Sequence, residues 1–171
     1  MPEGGFSPDI QSSSPEQEVK YERIVLAEGG DILTLNGKDM LNAKNGIVLL
    51  MGSENPENAA KSKRLRLHYT DEEFDPNGEK KPHWLLIDAD ANYRSQPLKQ
   101  GIPFPVGREN TLLFAPDEQA RLRVSRKHVA IIPSGENVTI VQRSHTNKTF
   151  IDAPQTTIVS TDLNSQSEMT A

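Results

Sequence analysis

The chain of 171 residues contains no cysteine. That absence removes disulfides, thiolate metal sites and cysteine nucleophiles together, and it accords with a reducing compartment, nuclear or cytoplasmic. Aromatic residues are scarce at 5%, and with 12 prolines this leaves part of the chain outside any core. Long apolar runs are missing too: none approaches the roughly 20 residues a membrane-spanning helix needs. The opening MPEGGFSPDIQSSSPEQE has neither the basic nor the apolar region of a secretory signal. A soluble chain that is not secreted and has no membrane partner is the expectation.

Basic charge is in short supply overall, with 19 Lys and Arg against 24 Asp and Glu and a net charge of -5. It is also unevenly spread. Residues 106–150 carry seven basic side chains (Arg108, Arg121, Arg123, Arg126, Lys127, Arg143, Lys148) and four acidic ones (Glu109, Asp117, Glu118, Glu136), so this segment is +3 and the remainder -8. An acidic chain with a locally basic strip attracts a small anionic target better than a long polyanion. Duplex nucleic acid usually calls for a domain that is basic throughout, which argues against it as a partner.

What is present fits one domain of ordinary size. Residues 1–19 are rich in Ser, Pro, Glu and Gln, the composition of a disordered arm. From Arg23 onward the apolar runs are short and β-branched: RIVLA (23–27), DILTL (31–35), GIVLLMG (46–52), KRLRLHY (63–69), HWLLIDA (83–89), PVG (105–107), TLLFA (111–115), RLRV (121–124), HVAIIP (128–133), NVTIVQ (137–142), TFID (149–152) and TTIVS (156–160). Turn residues separate most of them. The fold class is therefore all-β, a sandwich or barrel of about ten short strands. GIVLLMG is apolar throughout and suits a strand buried on both faces, whereas KRLRLHY alternates as a half-buried strand does. The charged side of KSKRLRLHY (61–69) reads as a solvated strand face, or else as a docking or nucleic-acid surface. Only KDMLNAK (38–44) and PDEQA (116–120) could make a helical turn or two. Residues 20–82 supply additional strands and end in the charged linker DEEFDPNGEKKPH (71–83); the main structural unit is expected over 83–160, with Trp84 as a core anchor and 161–171 as a flexible tail.

Three loops could hold an oxyanion, which wants a bidentate cation, hydroxyl or backbone N–H donors and a rigid scaffold. They are VGREN with Gly107 and Arg108, VSRKH with Ser125, Arg126, Lys127 and His128, and SHTNKTFID with Thr146 and Asn147. All lie at strand termini, and in a sandwich such termini cluster at its ends. Ser125 and His128 could suggest a nucleophile and base, but no orienting third group or oxyanion hole accompanies them, so no enzyme is expected. The four histidines are scattered without a ligand pattern, so no metal and no cofactor is expected. Standing alone, SRKH would read as an exposed charged turn.

Gly107-Arg108, then Ser125-Arg126-Lys127-His128, then Thr146-Asn147-Lys148-Thr149-Phe150-Ile151, in this order over residues 83–160, resembles the forkhead-associated (FHA) domain family. The family is an eleven-stranded β-sandwich that binds phosphothreonine peptides through loops at one end. The resemblance implies that Arg108 pairs with the phosphate, that Ser125, Arg126 and Thr146 complete its shell, and that Asn147 bonds the peptide main chain. Gly107 and His128 are implied supports, with the His128 ring buried beneath the loop. The implied partner is a phosphothreonine-containing protein. The alternative is a degenerate member acting as a phosphate-independent scaffold. Trp84 with LLIDAD and the GR and SRKH loops is similar to the nibrin-type and checkpoint-kinase modules of the DNA-damage response, which implies signalling in that setting.

Departures from the family pattern are specific. Lys148 stands where a glycine with φ > 0 is common, so a strained or reshaped loop is expected. Asp152-Ala153 replaces an Asn-Gly turn. The family closes with a Gly-Asp-x-Ile turn and two further strands, whereas the chain after Ser160 is short and polar. Something similar to that signature, EGGDILTLNG, stands at 28–37, ahead of the unit it would close. A truncated product, N-terminal strands filling the missing positions and an accidental likeness are the explanations, and the frequency of Gly-Asp turns favours accident.

Overall fold

The computed structural model describes residues 20–51, 63–88, 95–108 and 124–163. Alternating apolar residues build two antiparallel sheets that face each other without closing into a barrel, a β-sandwich. In chain order the strands are β1 Tyr21–Leu26, β2 Ile32–Asn36, β3 Ile47–Met51, β4 Lys63–Thr70, β5 His83–Asp88, β6 Ser95–Pro97, β7 Phe104–Val106, β8 Val129–Ser134, β9 Asn137–Gln142, β10 Thr149–Pro154 and β11 Ile158–Asp162. The six-stranded sheet runs β1-β10-β3-β4-β5-β6 and the five-stranded sheet β11-β2-β9-β8-β7. Strands from before and after His83 interleave in both sheets, so the core is shared across that point. Among the described residues no helix is long and apolar enough to cross a membrane.

Period-2 patterning decides the core. Leu65, Leu67 and Tyr69 of β4 point inward opposite Asp88, Leu86 and Trp84 of β5, and all are buried. Trp84 is fully buried and its ring lies 5.1 Å from that of Tyr69. On β3, Ile47, Leu49 and Met51 are buried while Val48 and Leu50 remain partly exposed on the outer face. The expectation that this strand is buried on both faces is corrected: it is central within its sheet, but only its inner face meets the second layer.

Two further expectations change. Thr161 and Asp162, assigned to a flexible tail, belong to β11, where Asp162 pairs with Ile32. The turn expected at 38–44 is a 3-10 turn over Lys38–Met40, and the structure adds another at Gln155–Thr157. β6 was not expected, because its Ser-Gln-Pro carries no strand pattern. The arm at 1–19, TLLFA, PDEQA and most of RLRV lie outside the described residues.

EGGD at 28–31 forms the connection between β1 and β2. Gly30 takes a φ of 98°, and buried Asp31 accepts the N–H groups of Ala27 and Glu28, both at 2.9 Å. Gly30 N–H donates to Gln142 O at 2.7 Å and Gln142 N–H to Asp31 O at 2.8 Å. These bonds fix the turn to the end of β9, from which the third candidate loop departs. β2 and β3, which follow this turn, occupy interior positions in the two sheets.

Candidate functional site

The GR and SRKH loops are joined first through their backbones. Arg108 N–H donates to Ser125 O at 3.0 Å, and His128 N–H to Val106 O at 2.8 Å. Gly107 is buried against this junction, and a Cβ there would run into the Arg126 carbonyl. Glycine is required for that approach.

His128 ties this pair to the third loop. Its ring is fully buried; Nδ1 accepts the Ser125 N–H at 3.1 Å, so Nε2 carries the proton and donates to Lys148 O at 3.1 Å. Burial pushes its pKa down to about 4, against a smaller opposing effect of the Lys148 carbonyl. The imidazole is therefore neutral at pH 7. Ser125 Oγ makes no bond to it, which leaves the two without nucleophile–base geometry.

The Ser125 hydroxyl instead faces the third loop. It lies 2.6 Å from Ser144 Oγ and accepts from Asn147 Nδ2 at 2.9 Å. Two residues 22 apart in sequence thus meet side chain to side chain. Thr146 joins through Ser144, with its Oγ1 at 3.5 Å and its N–H donating at 3.2 Å. Arg108, Arg126 and Lys127 are exposed, and their side chains make no hydrogen bond or ion pair among the described residues. Lys148 is also exposed, and of the two alternatives expected there, a strained or a reshaped loop, strain does not occur. Among the described residues only Asn42 is a non-glycine with positive φ, so the loop turns without a left-handed residue at Lys148.

Two site residues were missed in the sequence. Ser144, buried, accepts the N–H groups of both Thr146 and Asn147, the latter at 2.9 Å. A serine ahead of a polar turn commonly makes this motif, and that was the available signal. Gln142 follows Val138 and Ile140 on the inward face of β9, and a glutamine in that alternation signals a buried polar role. Its Nε2 donates to Ser144 O at 3.1 Å and to Asn147 O at 2.8 Å, while its Oε1 accepts from Thr149 Oγ1 at 2.7 Å. On the far side, the His145 ring lies so close over Gly29 that a Cβ there would collide with it.

The arrangement brings two serine hydroxyls and an amide together on a braced backbone, with the cations of Arg108, Arg126 and Lys127 exposed on the same loops and unpaired among the described residues. Among the described residues no group of three His, Asp or Glu side chains could hold a metal ion. No family model, curated protein or solved structure matches the chain.

Proposed function

We propose that this end of the sandwich is a non-enzymatic FHA-type site that binds a phosphothreonine-containing segment of a partner protein. The observation that carries the reading is the Ser125–Asn147 hydrogen bond, with Gly107 pressed on the Arg126 carbonyl. Together these gather the three sequence-distant loops into one polar cluster. Phosphate carries about -1.5 to -2 charge at pH 7 and suits a guanidinium fork, which Arg108 and Arg126 offer without competing ion pairs among the described residues. Further support is topological. Strands from before His83 complete both sheets, and the EGGD turn is bonded to the end of β9, from which the third loop departs. DNA-damage or cell-cycle signalling in the nucleus or cytoplasm is the setting this reading favours.

A second reading has one observation in its favour. Asn147 is turned onto Ser125, so amide and hydroxyl already satisfy each other, as they would in a phosphate-independent scaffold. Titration with a randomised phosphothreonine peptide library, its unphosphorylated counterpart and a short DNA duplex separates the readings. Phosphate-dependent binding that falls roughly ten- to a hundred-fold in Arg108→Ala is expected, the loss of a charge-assisted hydrogen bond. Equal binding of both libraries, or binding unaffected by Arg108→Ala, would remove the proposal.

A further inference from the structure

The outer face of the six-stranded sheet is distinct from the loop end. Directly opposed residues share this face, so its middle row reads Arg23, Asp152, Val48, Arg66, Ile87, Ser95 across β1, β10, β3, β4, β5 and β6. Arg23 grips Asp152 through two bonds of 2.7 and 2.8 Å and lies over the Phe150 ring. Arg66 has no such carboxylate among the described residues. It lies between Val48 and Ile87, partly buried, with its Nε sealed from solvent and lacking any hydrogen-bond partner among the described residues. A sealed guanidinium nitrogen between two apolar side chains, without a partner among the described residues, calls for an explanation.

Its neighbours sharpen the case. Arg64 and His68 share the outward side of β4, and beyond His68 lies a depression of about 320 Å³ whose lining includes Lys44, Leu85, Ile87 and one carboxylate, Glu72. Burial, and to a lesser extent the charge of Arg66, lower the His68 pKa. Apolar flanks and the Arg66 charge, which meets no carboxylate among the described residues, complement an extended segment that alternates apolar and acidic side chains.

We propose that this face, centred on Arg66, docks an extended, carboxylate-bearing segment of a partner protein, with a carboxylate on the Arg66 guanidinium and apolar side chains against the partly exposed Val48 and Ile87. The segment needs no phosphate and does not depend on the loop site.

The probe is a set of unphosphorylated twelve-residue peptides in which alternate positions are fixed as Glu or as Lys and the others are mixed among Leu, Val, Phe and Ser. Binding to the full chain is read by amide chemical-shift mapping and titration. Glu peptides are expected to shift residues 48, 66, 68, 85 and 87 and to bind roughly ten-fold more weakly to Arg66→Met. Arg108→Ala should bind them unchanged, which separates failure here from failure of the phosphopeptide reading. Arg66→Glu should exchange the preference to Lys peptides, which holds the test open if Arg66→Met perturbs packing. Equal affinity for Glu and Lys peptides, shifts confined to the loop end, or retained affinity in Arg66→Met overturns the proposal. So does Arg66-dependent dimerisation in sedimentation, because the occupant is then a second copy.

Discussion

At the scale of single residues, His128 carries the most consequence for the site. One ring nitrogen holds the Ser125 N–H and the other the Lys148 carbonyl, so a proton on Nδ1 breaks the first bond and puts a charge in the core. The folded pKa of about 4 lies below the ordinary 6.5. Between those values the unfolded chain binds the proton and the folded chain does not, so stability is fully present above about pH 6.5 and is lost as pH falls towards 4. The loss through this one residue amounts to about 3 kcal/mol. Urea titrations at pH 7 and pH 4 on the wild type and His128→Asn measure it. The wild type should lose about that much more stability than the variant. Equal losses would mean that His128 is not buried neutral. Gly107 acts at the same scale by a different cause, since its missing Cβ is the space in which the Arg126 carbonyl sits.

At the scale of elements, the loop between β9 and β10 is tied to its strands by Gln142, beside the bonds the loop makes to Ser125 and His128. Gln142 closes bonds to Ser144 O, Asn147 O and Thr149 Oγ1, and its backbone N–H reaches Asp31 O of the β1–β2 turn. Gln142→Leu removes the side-chain bonds and leaves their partners unanswered at a cost of roughly 2–4 kcal/mol. Amide exchange should quicken at residues 144–148, and a double-mutant cycle with Thr149→Val should show coupling. Full additivity, or unchanged exchange, would count against this hub. The strands themselves were legible: NVTIVQ matches β9 residue for residue, and KRLRLHY appears one residue longer as β4. Side-chain alternation is a local property and survives in the sequence. Pairing partners are not local, which is why β6 could not be seen: Ser-Gln-Pro becomes a strand only because β5 lies beside it. The site divides likewise. Ser125 and Asn147 stood out through their motifs, whereas Ser144 and Gln142 gain meaning only when hydroxyl, amide and carbonyls from separate turns meet.

At the scale of the molecule, the order of strands along the chain is separable from the sandwich they form. The end of β10 lies beside the start of β1: Pro154 pairs with Tyr21, and Gln155 N–H donates to Lys20 O at 2.9 Å. A short turn from 155 back to 20 would make β10 and β1 an ordinary antiparallel hairpin, with new ends falling in the 71–82 loop. Every interior pairing of the six-stranded sheet would survive. Residues 83–171 alone face the opposite situation, since β10 loses both neighbours, β1 and β3, while β11 loses its only partner, β2. The isolated segment should therefore lack strand circular dichroism and a cooperative thermal transition. A rearranged chain running 83–155, a two-residue turn, then 20–70 should regain both, with a lower Tm because the exposed edge strand β11 is left out. Cooperative unfolding of 83–171 by itself, at a Tm near that of the full chain, would show that the core does not need the strands ahead of His83. It would also remove the topological support for reading the loop end as a closed FHA-type site.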